Sequence, residues 1–169
     1  HAVTALFCPH TPPIDRISIR GDLAGALGFV SYSDPAHKYV VTRGQLLDQI
    51  CVLYGGREAE LLFFEDLSIG SGADIARATE IARALVEQFG MGGETVGVRR
   101  VDAAHDDPAS EALLKSMEDA VKSVLEAQRA RARELVTEHK ALIATLRDLL
   151  LEKKVLDQEA LASILPARS

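Results

Sequence analysis

The sequence predicts a mainly α-helical protein with a small β-sheet near its N-terminus. Long segments after residue 42 carry apolar residues at helical spacing, and two short segments before it have strand character. Apolar residues make up 47% of the 169 residues and charged residues 26%, which excludes a wholly disordered chain. The formal net charge of −6 has the wrong sign for a general nucleic-acid binder, because such proteins neutralise phosphates with Lys and Arg.

The N-terminal part predicts a helix end followed by two strands. Residues 1–8 are typical of the last turns of a helix, since Pro9 cannot continue it. Residues 14–19 alternate apolar and polar side chains, which is the period of a half-buried strand. Residues 26–32 predict a second strand with Gly28 inside it, and a glycine there often marks a close approach of another backbone.

The middle of the chain predicts a long helix. Thr42 and Gln45 form a capping-box pattern, and the apolar residues that follow extend the helix to about Phe64. The adjacent Gly55 and Gly56 cost a helix about 1 kcal/mol each relative to Ala. We therefore expect another segment to pack closely against the backbone at this point.

A second helix follows a glycine-containing loop. Asp74 is the N-cap candidate, and Gly90 stands where a C-terminal cap belongs. The apolar face of this helix is predicted to comprise Ile75, Ala78, Ala82, Leu85 and Phe89. Residues 91–109 are irregular, with a candidate strand at residues 96–101.

The C-terminal part predicts two helices over residues 109–153, because one helix of that length exceeds the usual globular range. A short final helix restarts at Asp157. Three arginines at positions 129, 131 and 133 are flanked by glutamates, which predicts a solvated helix face.

The domain organisation is predicted to be a single domain over residues 1–169. A site-bearing lobe covers residues 1–108 and a helical part covers 109–169, with no linker rich in Pro, Gly or Ser. Cys8 and Cys51 offer neither a disulfide framework nor a metal-binding C-x-x-C pair, which indicates a reducing compartment. No apolar run approaches the roughly 18 residues that cross a bilayer.

Single residues say little about chemistry by themselves. A terminal residue such as His1 is most often solvated, and Asp74 has an ordinary interpretation as a helix cap. The sequence lacks the G-x-x-x-x-G-K-[ST] loop, so this segment is not itself a P-loop ATPase.

The motifs taken together resemble one family. GGREAE occupies residues 55–60, SIGSGADIARAT residues 68–79, QFGM residues 88–91 and LLEKKVLD residues 150–157. In this order and at this spacing they resemble the peptidase domain of the FtsH family of ATP-dependent, membrane-anchored zinc metalloproteases. The resemblance covers nearly the whole chain. Ile69 departs from it, since the family usually has threonine there.

The resemblance implies a zinc site. His1 is followed by Ala2 and Val3, as is the second histidine of the family's H-E-x-x-H motif, and Asp74 matches the third protein ligand. Glu60 is expected either to contact and orient a zinc ligand without touching the metal, or to form a surface salt bridge. The motif's first histidine and catalytic glutamate would precede residue 1, so this chain is expected to be inactive and to hold Zn²⁺ weakly.

The substrate is expected to pair with an exposed edge strand formed by Ala26, Leu27, Gly28, Phe29 and Val30. Main-chain pairing suits a protease that accepts many polypeptides, and Gly28 would let the partner backbone come close. The alternative is a buried central strand.

The resemblance also implies partners and a location. These are a homo-hexameric ring, an AAA ATPase module of the parent chain that binds ATP, and the cytoplasmic face of a membrane, with the present segment soluble. The alternative function is a catalytically inactive peptidase-like scaffold that holds a hexameric AAA ring together. A third interpretation is an acidic helical interaction domain.

Overall fold

Helices carry most of the chain, as the sequence predicts. The computed structural model describes residues 1–20, 28–33, 40–100 and 111–164. The α-helices are α1 (Ala2–Phe7), α2 (Arg43–Phe64), α3 (Gly72–Arg83), α4 (Glu111–Glu138), α5 (Lys140–Lys153) and α6 (Gln158–Ala162). The strands are β1 (Ile14–Ser18), β2 (Phe29–Tyr32) and β3 (Val155–Asp157).

The helix limits follow local capping interactions. At the start of α2 the Gln45 N–H donates to Thr42 Oγ1 at 3.3 Å, and the Thr42 N–H donates to Gln45 Oε1 at 2.8 Å. Asp157 caps α6 by accepting the Ala160 N–H at 3.0 Å. Gly90 has a φ of 62°, which confirms the left-handed position expected after the second predicted helix.

The sheet is antiparallel with the strand order β2–β1–β3. Gly28 lies just before β2, and a Cβ there would approach the Ser18 carbonyl oxygen to 2.7 Å. The close backbone at this glycine is therefore β1 of the same chain. The sequence does not predict β3, since three residues after α5 are too few to show a period. Ala26 and Leu27 lie outside the described residues.

Two predictions about the region around α3 are wrong. Ser71, not Asp74, is the N-cap residue, and Asp74 lies in the first turn of α3. Residues Ala84–Gln88 form a π-helical turn, whose extra residue rotates the positions that follow. Consequently Leu85 and Val86 are both buried, whereas Phe89 is 52% exposed and lies off the predicted apolar face.

Two further predictions are wrong. Residues 96–100 form no strand, and residue 101 lies outside the described part. The arginines of α4 do not form a solvated face, because they bind buried carboxylates of α2. Arg129 and Arg133 donate to Glu58, and Arg131 donates to Asp48.

The described side chains form two apolar clusters. The first joins α2, α3 and α4 around Ile50, Leu85 and Val121. The second joins α1, β1, α5, β3 and α6 around Ile17 and Leu156. None of the described helices is long and apolar enough to span a membrane.

Candidate metal centre

His1 and Asp74, which are far apart in the sequence, meet in the structure. His1 stands at the N-cap position of α1 and Asp74 in the first turn of α3. His1 Nε2 lies 3.3 Å from Asp74 Oδ2, and the two side chains are 38% and 32% exposed. The pair is accessible to solvent without being fully solvated.

The orientation of His1 is set by the backbone of α2. His1 Nδ1 lies 2.8 Å from the carbonyl oxygen of Val52, and a carbonyl can only accept. Nδ1 therefore carries a proton, and Nε2 is the ring nitrogen that faces Asp74. This is the second hydrogen bond that metal-binding histidines usually make.

The donor atoms fit a metal ion. Nε2 and a carboxylate oxygen face each other, and either a proton on Nε2 or a cation between the two atoms makes this approach favourable. Two ligands of a tetrahedral zinc ion lie about 3.3–3.5 Å apart, given metal–ligand bonds of about 2.0–2.2 Å. The observed 3.3 Å agrees with that separation.

The described residues supply only part of a metal site. Within the described ranges, no group of three or more His, Cys, Asp or Glu side chains is placed to hold a metal ion. The separation of His1 and Asp74 is compatible with two positions of a tetrahedral ion, and their role as zinc ligands stays a prediction.

The two glycines of α2 explain how His1 comes so close. A Cβ at Gly56 would collide with His1 Nε2, and one at Gly55 would collide with Thr4 Oγ1. This confirms that another segment packs against the backbone of α2, and the segment is α1 together with His1. Sequence reasoning found the glycines but not the Val52 carbonyl, since a backbone acceptor leaves no trace in side-chain patterns.

Glu60 lies beside the pair but contacts a different group. Its carboxylate accepts the Ser68 N–H at 3.1 Å, and hydrogen bonding from the side chain and then the backbone of Ser68 lowers the pKa of Glu60 below its usual value. Ser68 begins the turn Ile69–Ser71 that leads into α3. Among the described residues, Glu60 thus acts on the segment that carries Asp74 and makes no salt bridge.

Two cavities flank His1 and Asp74. One, of about 640 Å³, is walled by α2 and α5 and includes Gly56, Glu60 and Ile143. The other, of about 320 Å³, runs between β2 and α2. Its wall includes Gly28, Phe29 and Val30 of the predicted substrate strand, and no described strand pairs with the outer side of β2.

The comparisons with known proteins identify a family. The model of Peptidase family M41 matches residues 1–164. The chain is 34% identical to the ATP-dependent zinc metalloprotease FtsH of Pseudothermotoga lettingae over 98% of its own length and 28% of that relative. It is 35% identical to the mouse mitochondrial inner membrane m-AAA protease component AFG3L2, over 99% of its own length and 21% of that relative.

The chain therefore spans between a fifth and a third of the length of these relatives. The FtsH protein of Thermotoga maritima gives the same picture, with 32% identity over 98% of this chain and 29% of the relative. Since the family model covers residues 1–164 and these relatives are more than 30% identical to this chain over almost its whole length, the chain belongs to peptidase family M41, that of the FtsH zinc metalloproteases.

Proposed function

We propose that this chain is the zinc-binding peptidase domain of an ATP-dependent endopeptidase that degrades unfolded or membrane-extracted polypeptides. The observation that carries the proposal is the approach of His1 Nε2 to Asp74 Oδ2, with the Val52 carbonyl fixing the imidazole. In this proposal the whole chain, residues 1–169, folds as one domain around the site.

His1 and Asp74 would hold the zinc ion. A bound Zn²⁺ polarises the scissile carbonyl and acidifies a water molecule. The chain's own residues prepare the site: Val52 keeps the histidine in the tautomer that binds metal, and Glu60 holds Ser68 so that α3 presents Asp74. The general base would be the glutamate of H-E-x-x-H, three residues before His1.

The larger cavity, which His1 also lines, supports a place for those motif residues. Its walls are helical faces, with Gly56, Ala59 and Phe63 on α2 and Ile143 and Arg147 on α5. We propose that the H-E-x-x residues preceding the motif's second histidine extend α1 into this cavity. The first histidine would then lie one turn before His1 on the same face.

The β2 edge is the proposed substrate strand. An extended polypeptide that pairs with Phe29 and Val30 would lie along the smaller cavity, which His1 and Asp74 also line. Backbone pairing supplies affinity without reading many side chains. This arrangement suits a protease that accepts unrelated sequences.

The whole protein is proposed to contain further parts. The names of the relatives support an ATP-dependent AAA module and an association with a membrane. The cytoplasmic face of that membrane is the location that we propose for the peptidase domain. A homo-hexameric ring is the assembly we propose. A scaffold without catalysis is the alternative that the test below separates.

The test compares the 169-residue chain with the same chain extended by His-Glu-x-x before His1. We expect the extended chain to bind Zn²⁺ tightly and to cleave casein, and the shorter chain to do neither. Cleavage by the shorter chain would contradict the proposal. Tight zinc binding without cleavage by the extended chain would favour the scaffold.

Substitution of Asp74 tests the ligand assignment. In the extended chain Asp74→Asn should weaken Zn²⁺ binding by more than about tenfold, measured by competition with a chromophoric chelator. Asp119→Asn on the exposed face of α4 is the matched control and should leave the affinity unchanged. Equal affinity in the two variants would remove Asp74 from the site.

A further inference from the structure

Two buried thiols lie side by side where the end of α1 packs against α2. Cys8 directly follows α1 and Cys51 lies in α2, and neither side chain is exposed to solvent. The two thiols are hydrogen-bonded to each other and belong to the same apolar cluster. The sequence spacing indicates no disulfide framework, so this proximity comes only from the packing of α1 on α2.

The two cysteines are attached to the parts that orient His1. Cys8 is the C-cap residue of α1, whose N-cap is His1. Cys51 immediately precedes Val52, whose carbonyl accepts the His1 Nδ1–H at 2.8 Å. A covalent bond between the thiols would therefore constrain both the helix that begins at His1 and the peptide that holds its ring.

We propose that Cys8 and Cys51 are an oxidative modification site, which closes to an intramolecular disulfide and changes the affinity of the His1–Asp74 centre for zinc. Disulfide formation concerns the two thiols alone. The change in zinc affinity rests on the proposed zinc site.

The oxidant is a peroxide, with hydrogen peroxide as the simplest member of the class. One thiolate attacks a peroxide oxygen, giving a sulfenic acid and releasing hydroxide, which becomes water. The second thiol then attacks that sulfur, and the sulfenic oxygen leaves as a second water. Two thiols and one peroxide thus give one disulfide and two waters, and the sulfurs are oxidised as the peroxide is reduced.

The folded structure makes this reaction slow. The hydrogen bond that the Cys51 thiol donates to Cys8 and the burial of the side chain both raise the pKa of Cys51, so little Cys51 thiolate is present. The reaction therefore requires α1 to move away from α2 for a moment.

The experiment exposes the reduced 169-residue chain to excess hydrogen peroxide. We expect a monomer on a non-reducing gel, a mass lower by about 2 Da from the loss of two hydrogens, and a tryptic cross-link between the peptides of Cys8 and Cys51. Dithiothreitol should reverse all three. Sulfinic acids or intermolecular dimers in place of the cross-link would overturn the modification site.

The single variants Cys8→Ser and Cys51→Ser are the matched controls, with Cys8→Ala and Cys51→Ala if the serine variants lose their helical circular dichroism. None of them should form the cross-link. Zinc affinity, measured by chelator competition, should change on the order of tenfold when the original chain is oxidised and return with dithiothreitol. The same treatment should leave the affinity of the variants unchanged.

The outcomes separate this inference from the proposed function. A disulfide that leaves zinc affinity unchanged would overturn the coupling to the metal centre. If the reduced chain and its extended form bind no zinc at all, the proposed function fails, whereas the mass and cross-link measurements still decide whether the thiols are a modification site.

Discussion

At the scale of single residues, the site depends on two glycines of α2, whose lack of a side chain leaves room for their neighbours. Gly56 leaves room for the imidazole of His1 and Gly55 leaves room for Thr4, although both glycines lie within α2. The free energy lost by placing glycine in a helix, about 1 kcal/mol per residue, is the cost of bringing α1 against the backbone of α2.

Replacement of Gly56 should therefore disturb the site. Gly56→Ala should lower the free energy of unfolding by about 1–3 kcal/mol and weaken zinc binding, because the new methyl group displaces His1. Gly72→Ala is the control: Gly72 has helical dihedral angles and nothing lies within 4 Å of a Cβ there. That variant should be neutral or more stable by up to about 1 kcal/mol in urea unfolding. Equal effects in both variants would contradict the packing argument.

A second prediction concerns the end of α2. Glu65 adopts a left-handed conformation, with a φ of 56° and a ψ of 20°, at a C-cap where glycine is usual. Glu65→Gly should stabilise the protein by about 0.5–1 kcal/mol, because glycine reaches this conformation without steric strain. The exposed Glu134→Gly within α4 should instead destabilise by about 1 kcal/mol. Thermal unfolding of both variants measures the contrast, and a loss of stability in Glu65→Gly would refute it.

At the scale of elements, buried carboxylates join α2 to α4. Glu58 is 1% exposed and binds Arg129 at 2.9 Å and Arg133 at 3.0 Å, while Asp48 is 3% exposed and binds Arg131 at 2.6 Å. Burial alone would raise the pKa of Glu58. The hydrogen bonds from Arg129 and Arg133 and their charges outweigh burial, so the pKa lies below its usual value.

The sign of this shift sets a pH dependence. A carboxylate with a lowered pKa in the folded state adds stability above its unfolded pKa, and the contribution disappears as pH falls through the folded value. Glu58→Gln should lower the free energy of unfolding by about 2–3 kcal/mol at pH 7. The difference in this free energy between the variant and the original chain should disappear as the pH falls below about 4. The exposed Glu118→Gln, which pairs with Arg83 on the surface, should cost less than about 1 kcal/mol. Urea unfolding across this pH range is the measurement, and a gap that does not depend on pH would contradict the assignment.

At the scale of the whole molecule, the candidate centre lies where the two apolar clusters meet. His1 precedes α1, which packs in the cluster with β1 and α5, whereas Asp74 belongs to α3, which packs in the cluster with α2 and α4. A metal ion held by both side chains would tie the clusters together.

Zinc should therefore stabilise the entire fold. We expect Zn²⁺ to raise the melting temperature of the 169-residue chain, with a gain of about 2.7 kcal/mol at a concentration one hundred times its dissociation constant. Mg²⁺ at the same concentration is the control, because it prefers oxygen ligands in octahedral geometry. A similar shift with Mg²⁺, or none with Zn²⁺, would count against a zinc centre at this boundary.

The helix limits could be predicted because they depend on neighbours in the chain. Each capping interaction involves residues only a few positions apart. The start of α2 depends on Thr42 and Gln45, the start of α6 on Asp157, and the end of the helix that begins with α3 on Gly90. The motifs that identify the family are also local, and they predict His1 and Asp74 as metal ligands.

Other features were decided by contacts between distant segments. The three-residue β3 exists because it pairs with β1, and the arginines of α4 are drawn inward by Asp48 and Glu58 on α2. The π-helical turn, the Val52 carbonyl behind His1 and the adjacency of Cys8 and Cys51 likewise depend on packing. The amino-acid sequence by itself determined the family, the helices and two metal-binding candidates. Their distance and orientation belong to the tertiary structure, because backbone acceptors and buried partners act through space and leave no period in the chain.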